Sequence, residues 1–123
     1  MEIDYVIEKE GELSTYHEDK LLLVSNRKAN KQMIRVERRI EEAENYNALS
    51  QMFEIKNLDS KTGLKEIKLD QLRVLHFAYL DKTIVLLGVF LKKSQKTPPS
   101  IIERNNTRIA RYKETHHEKP SDV

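Results

Sequence analysis

Three apolar segments in the second half of the chain constrain its fold more than any other feature. Residues 64–69 alternate apolar and polar side chains, residues 72–80 are mostly apolar, and residues 83–93 contain the eight-residue apolar run Ile84–Leu91. Alternation is typical of a strand with one buried face, and an uninterrupted apolar run is typical of a central strand buried on both faces. Asp81-Lys82 leaves room for a tight hairpin turn. The pattern predicts a three-stranded antiparallel meander.

The other elements are predicted from the spacing of apolar residues: a strand over 2–8 and helices over about 15–24, 27–45 and 99–114. Residues 21–24 fit either the end of the first helix or a strand. Residues 46–62 have a mixed pattern that predicts a short turn of helix or irregular chain. The expected order is β-α-α-β-β-β-α, an α+β fold in which helices lie on an antiparallel sheet.

The chain has 123 residues, which fits a single domain. We expect residues 1–114 to form it and residues 115–123, which are polar and include Pro120, to be a disordered tail. There is no cysteine, which excludes disulfides, cysteine zinc sites and thiol nucleophiles. The longest apolar run is too short to span a membrane, and the acidic N-terminus does not fit a signal peptide. We therefore expect a cytoplasmic protein without a membrane partner.

The charges are distributed in blocks that the total conceals. Lys and Arg number 22 and Asp and Glu number 20, for a net charge of +2. Residues 1–20 carry two basic and seven acidic groups (−5), whereas residues 27–39 carry six basic and one acidic (+5). Residues 40–54 carry four acidic groups (−4), and residues 92–113 carry seven basic and one acidic (+6). Because local patches determine partners, the small net charge does not exclude a nucleic-acid ligand.

Several familiar catalytic motifs are absent. The chain has neither a glycine-rich phosphate loop nor a G-x-S-x-G sequence. His116-His117 is an adjacent histidine pair, but it lies in the expected tail. We therefore expect no metal and no cofactor.

Cations are concentrated on the meander and just after it. Lys65 and Lys68 lie three residues apart and should point to opposite faces of the first meander strand. In an antiparallel meander the end of that strand, the start of the next and the end of the third lie together. Lys68, Arg73 and Lys93 would then converge at one end of the sheet. Periodicity alone fits a solvated charged rim as well as it fits a phosphate-binding site.

The phosphate interpretation has a definite chemistry. Arginine can bind a phosphate through two hydrogen bonds, and lysine supplies a point charge. Three cations around one phosphate would stabilise the charge that develops when an RNA 2′-hydroxyl attacks it, without a metal. A lysine whose pKa is lowered by neighbouring cations could act as the base.

Three stretches of sequence resemble one known family. They are residues 64–69 (LKEIKL), residues 72–77 (LRVLHF), and residues 84–98, which end in KKSQKTP. Together they resemble the RelE/HigB toxin superfamily, and in particular its phage-derived HigB-like branch. The resemblance is good over about residues 63–113 and is limited to the order of elements before that.

The resemblance implies a RelE-like fold, with helices packed on a small twisted antiparallel sheet. It implies a toxin of a type II toxin–antitoxin system that cleaves mRNA, commonly on the ribosome, without a metal. The implied partners are mRNA, the ribosome and a helix-turn-helix antitoxin. The positions that match the family's catalytic residues are Lys68, Arg73 and Lys93. Further implied RNA-binding residues are Lys65, Lys92, Gln95, Lys96 and Thr97.

Three residues depart from the family pattern. Glu66 stands where the family has a lysine, and Gly88 where it has a histidine. His76 occupies a position usually held by Tyr or Phe and fits either a hydrogen-bonded core residue or a catalytic one. Glu66 and Gly88 favour the alternative that the chain is a catalytically degenerate, phage-derived protein that binds an antitoxin or another partner without cutting RNA.

Overall fold

The structure is a computed structural model, and it describes residues 1–116. Four helices and five strands form within this range. In chain order they are β1 (Glu2–Tyr5), α1 (Thr15–Leu21), α2 (Arg27–Glu42), α3 (Tyr46–Met52), β2 (Glu54–Asp59), β3 (Leu64–Leu69), β4 (Leu72–Leu80), β5 (Thr83–Leu91) and α4 (Pro99–Thr115). The α+β class is confirmed. None of the helices within residues 1–116 is both long and apolar enough to cross a bilayer.

The five strands form one sheet in the order β1-β5-β4-β3-β2. The predicted meander is present, since β3, β4 and β5 pair as consecutive antiparallel neighbours. The expectation of a wholly antiparallel sheet is wrong, because β1 pairs in parallel with β5. Apolar alternation reports which face of a strand is buried, and it carries no information about the direction of the neighbouring strand.

Residues 46–62 hold more regular structure than their sequence predicts. The short helix is present as α3, and it is followed by β2, which pairs antiparallel with β3 at the edge of the sheet. Most of β2 is exposed or only half-buried. An edge strand with one partner needs little apolar surface, so the usual pattern of a strand is weak here.

The sheet has an apolar core on each face. One face packs against α2, whose apolar stripe is fully buried as predicted: Ala29, Met33, Val36 and Ile40. The other face packs against α4 through Leu75, Leu87 and Ile109. The polar side of α2 is therefore turned away from the sheet, and α4 covers the opposite face.

Several predicted boundaries shift by a few residues. Helix α1 ends at Leu21, and residues 22–25 form turns rather than a helix or a strand. Helix α2 ends at Glu42 instead of residue 45, because Ala43 has an extended backbone. Strand β1 ends at Tyr5 instead of residue 8.

The last helix extends beyond the predicted domain end. Thr115 belongs to α4, and the ring of His116 stacks on that of Tyr112 at 3.9 Å between centroids. Helix α4 therefore ends one residue beyond the predicted domain end at residue 114. Residues 117–123 lie outside the described range.

Candidate functional site

A cleft lies where β3, β4 and β5 come together at one end of the sheet. Lys68 and Arg73 are directly opposed on β3 and β4, and Arg73 is opposed to Phe90 on β5. Directly opposed residues have their side chains on the same face. The cleft has a volume of about 420 Å³ and is lined by Gln71, Arg73, Lys92, Lys93, Ser94 and Gln95.

Arg73 is a buried residue of the cleft, with only 6% of its surface exposed. Its Nη1 donates hydrogen bonds to the carbonyl oxygens of Asp70 at 2.7 Å and Leu72 at 2.9 Å. Asp70 adopts a left-handed backbone conformation with φ of 54°, in the tight turn between β3 and β4. The turn thus holds one edge of the guanidinium, through Nη1.

Glu66 lies behind Arg73 and is 1% exposed. Its Oε1 accepts a hydrogen bond from Thr97 Oγ1 at 2.7 Å, and its Oε2 lies 3.9 Å from Arg73 Nε. Within the described range, Oε2 and Nε are both buried without a hydrogen-bond partner. Thr97 is correspondingly buried, so its predicted direct contact with RNA is not available in this structure.

The lysines around the cleft have different environments. Lys92 is half-buried, and its partial burial lowers the pKa of its ammonium group, with the nearby charge of Arg73 lowering it further. Lys93 lines the same cleft but is exposed. Lys68 is held by a salt bridge to Glu54 Oε2 at 3.1 Å. Of the three residues predicted to converge, Arg73 and Lys93 line the cleft, whereas Lys68 is paired with Glu54. Lys92 is the half-buried lysine next to Arg73.

The remaining predicted RNA-binding residues are divided between two places. Gln95 and Lys96 are exposed on the segment after β5, and Gln95 lines the cleft. Lys65 pairs with His76 on the opposite face of the sheet from Arg73. The structure therefore does not bring Lys65 into the cleft.

His76 is fully buried on the face covered by α2 and α3. Its Nε2 lies 2.9 Å from the Tyr46 hydroxyl and its Nδ1 lies 3.2 Å from the Val74 carbonyl oxygen. Burial lowers its pKa to about 4, so the ring is neutral at pH 7. Of the two roles predicted for His76, these contacts are typical of a hydrogen-bonded core residue and not of a residue that contacts a substrate.

A second cationic surface covers the outer side of α2. Arg27, Lys31, Arg35 and Arg38 are exposed and make no ion pair with any residue that the structure describes. We call these four residues the basic face of α2. Lys28 on the same helix lies 3.5 Å from Asp70 Oδ2, beside the turn that holds Arg73. The N-terminal end of α2, where Lys28 lies, is therefore close to the turn at the cleft.

Two residues of the site were missed by the sequence analysis. Gln71 lies in the β3–β4 turn, and turn residues give no periodic signal. Glu66 was identified as a departure from the family but not as a contact of Arg73 and Thr97. Lys92 was assigned a binding role, although alternation from Phe90 could have placed it on the face of Arg73.

The fold and site define a small α+β protein with a cationic cleft at the end of a mixed sheet. Among residues 1–116 no cluster of three or more His, Asp or Glu side chains is placed to hold a metal ion. The model of the family described as phage derived protein Gp49-like (DUF891) matches residues 22–110, and the chain belongs to that family. It is a RelE/HigB-like toxin family whose members are generally toxin-like components of toxin–antitoxin systems. A search of curated proteins gives no match.

Proposed function

We propose that this protein is a toxin that cleaves mRNA in its cleft without a metal and thereby inhibits translation. The observation that carries the proposal is the pairing of a fixed, buried Arg73 with the half-buried Lys92 in a cleft at the sheet end. Arg73, Lys92 and Lys93 place three positive charges around a space that can admit a phosphate. Such fixed cations stabilise the negative charge that develops during phosphoryl transfer.

The proposed reaction is an attack by a 2′-hydroxyl on the adjacent phosphate. The hydroxyl loses its proton to a base and its oxygen bonds to phosphorus, while the bond from phosphorus to the next nucleotide's 5′ oxygen breaks. The leaving oxygen takes up a proton, so the products are a 2′,3′-cyclic phosphate and a 5′-hydroxyl. Lys92 is the proposed base, because its lowered pKa enlarges the neutral fraction that can accept the proton.

The basic face of α2 supplies the proposed contacts with the ribosome. Unpaired cations spaced three and four residues apart repel one another and weaken a helix slightly. A polyanion that binds across them removes this repulsion, and release of its counterions favours binding. Lys28 of α2 lies beside Asp70, in the turn at the cleft, and this closeness supports an RNA-binding surface that continues from the cleft onto α2.

Two of the three departures from the family pattern, Glu66 and Gly88, lie outside the open part of the cleft. Glu66 is buried behind Arg73, and Gly88 lies against Arg108 and Asp19. Although Glu66 replaces a lysine of the family, it is buried, and Arg73, Lys92 and Lys93 remain in the lining of the cleft. This placement supports a cleaving enzyme over the catalytically degenerate alternative.

The proposed partner that neutralises the toxin is a helix-turn-helix antitoxin, encoded beside it. Cleavage of mRNA on ribosomes would place the protein in the cytoplasm. A neighbouring gene for a small helix-turn-helix protein would support this pairing, and its absence would weaken it.

The decisive experiment is a cell-free translation reaction with a defined mRNA, in which the 5′ ends of the products are mapped by primer extension. We expect the wild-type protein to cut the mRNA and stop translation. Arg73→Ala and Lys92→Ala are expected to abolish both effects. Lys61→Ala is the matched control, since this exposed lysine lies in the turn at the other end of the sheet.

Each outcome separates the alternatives. Intact mRNA with wild-type protein would contradict the enzyme and leave the interaction protein. Cleavage that persists in both cleft variants would place the activity elsewhere on the chain. Cleavage of naked RNA with equal efficiency would show that the ribosome is not required.

A further inference from the structure

Glu66 is a buried charged residue that touches two parts of the cleft at once. Its carboxylate faces the guanidinium of Arg73 on one side and accepts a hydrogen bond from the Thr97 hydroxyl on the other. Thr97 ends the segment 92–97, which carries Lys92, Lys93 and Gln95 along the cleft. Glu66 is therefore linked to the buried arginine and to the segment that forms a wall of the cleft.

The contacts of Glu66 would lower the stability of the folded protein if Glu66 had only a structural role. A buried carboxylate needs hydrogen bonds to all its oxygens, and a buried ion pair stabilises a protein only when those bonds are made. Here Oε2 has none, and the Nε of Arg73 that faces it at 3.9 Å has none either. Buried polar atoms left unpaired in this way call for an explanation, and a role in the cleft is one.

We propose that Glu66 is a positioning residue, which aligns the Arg73 guanidinium from behind and ties the segment 92–97 to the sheet through Thr97. The inference rests on the proposed function, in that the aligned cations are those that bind the phosphate. At 1% exposure Glu66 does not reach a substrate, so it is not the base. It acts through the residues that it holds.

The charge of Glu66 also affects the pKa of Lys92. Partial burial and the charge of Arg73 lower the pKa of Lys92, while the carboxylate of Glu66 raises it. Removing the carboxylate removes that opposing effect, so the pKa of Lys92 should fall further.

The test uses the whole chain and inorganic phosphate as the probe. Thr97→Val removes the hydroxyl with little change of shape, Thr97→Ser restores it, and Glu66→Gln removes the charge. NMR follows the Arg73 Nε–H signal, the order of the 92–97 amides and the pKa of Lys92, and a titration gives the phosphate affinity. We expect Thr97→Val to disorder the segment and weaken phosphate binding about fivefold, as for one lost hydrogen bond, and Thr97→Ser to behave as wild type.

Thr15→Val is the matched control, because it also removes a buried threonine hydroxyl bond, to the Leu87 carbonyl oxygen at 2.6 Å. It should lower stability and leave phosphate affinity unchanged. Glu66→Gln should shift the Arg73 signal and lower the pKa of Lys92. If Glu66→Gln does not fold, the pair of Thr97 variants decides the question alone.

Two results separate this inference from the proposed function. Folded Thr97→Val and Glu66→Gln proteins with wild-type segment order, Arg73 signal and phosphate affinity would overturn the positioning role, whether or not RNA is cut. A wild-type protein that binds phosphate through this linkage but leaves mRNA intact would overturn the cleavage and retain the positioning role.

Discussion

Arg108 Nη1 lies 2.6 Å from the place that a Cβ atom on residue 88 would occupy. The absence of a side chain at Gly88 therefore makes room for a partly buried ion pair, in which Arg108 Nη1 donates to Asp19 Oδ2 at 3.0 Å. Arg108 also donates to the Leu87 carbonyl oxygen at 3.0 Å. The pair ties α1 to α4 across the edge of β5.

Gly88→Ala is expected to lower the free energy of unfolding by about 1–3 kcal/mol, the usual cost of overpacking. The added methyl group would lie 2.6 Å from both Arg108 Nη1 and Asp19 Oδ2, so the ion pair must move. Urea denaturation of the two proteins measures the difference.

The control is the same substitution in an Arg108→Ala background. One of the three atoms within 3.0 Å of the added Cβ atom is then absent, so Gly88→Ala should cost less than it does in the wild type. An equal cost in both backgrounds would mean that contact with Arg108 is not the cause.

Because His76 is buried, we expect the free energy of unfolding to fall in acid. Its pKa is lowered from 6.5 to about 4 by burial, so the unfolded chain binds a proton at a higher pH than the folded protein does. Its contribution is complete above pH 6.5 and is lost as the pH falls toward 4. The loss amounts to about 3 kcal/mol at ~1.4 kcal/mol per unit of pKa.

The comparison that isolates His76 uses His76→Gln, which keeps a hydrogen-bonding side chain and does not titrate in this range. Urea denaturation at pH 7.5 and pH 4.5 gives the loss of stability for each protein. The loss should be smaller in His76→Gln. An identical loss in both proteins would assign the acid sensitivity to other groups.

The strongest periodic patterns predicted the fold well, and weaker ones did not. The meander and the buried stripe of α2 have clear periods because their apolar residues face a core. Strand β2 was missed because it is a largely exposed edge strand. The parallel pairing of β1 with β5 was missed because it depends on the path of the chain, which no local pattern encodes.

The position of the candidate residues on the sheet could be predicted in part. The meander placed Lys68 and Arg73 at the same end of the sheet, and the structure pairs them directly. Which lysine lies next to Arg73 follows from continuing the alternation from Phe90 past the end of β5, which places Lys92 on the face of Arg73. The burial of Glu66 against Thr97 joins residues 31 positions apart, and neither residue has a sequence signal for it.

If Lys92 is the base, the rate of mRNA cleavage should depend on pH. A base must be neutral to accept the proton, so the rate should rise with pH and level off above the pKa of Lys92. Because that pKa is lowered, the rise should occur below the pH at which an ordinary lysine titrates. Single-turnover cleavage at a series of pH values measures the profile.

The matched variants are Lys92→Arg and Lys93→Arg. Both keep a positive charge in the cleft, but arginine does not lose its proton. Lys92→Arg should bind RNA and cleave it at least about a hundredfold more slowly, as expected for loss of a general base. Lys93→Arg should cleave nearly as the wild type. Equal effects of the two changes would contradict the assignment of the base.

The basic face of α2 predicts a specific change in salt dependence. Replacing Lys31, Arg35 and Arg38 with Gln removes three exposed cations that have no ion pair in the described part of the chain. For single-stranded RNA each lost phosphate contact should reduce the slope of log affinity against log salt by about 0.7, or about 2 in all. Stability should stay the same or rise slightly, since neighbouring like charges are removed.

The control removes the same net charge from another helix. Arg104, Arg111 and Lys113 are exposed cations on α4, and their replacement with Gln tests whether total charge alone sets the slope. If the α2 variant loses about 2 from its slope and the α4 variant does not, then RNA contacts α2 directly. Equal losses in both would mean that RNA responds to the net charge of the protein, and the ribosome contact proposed for α2 would then have no support.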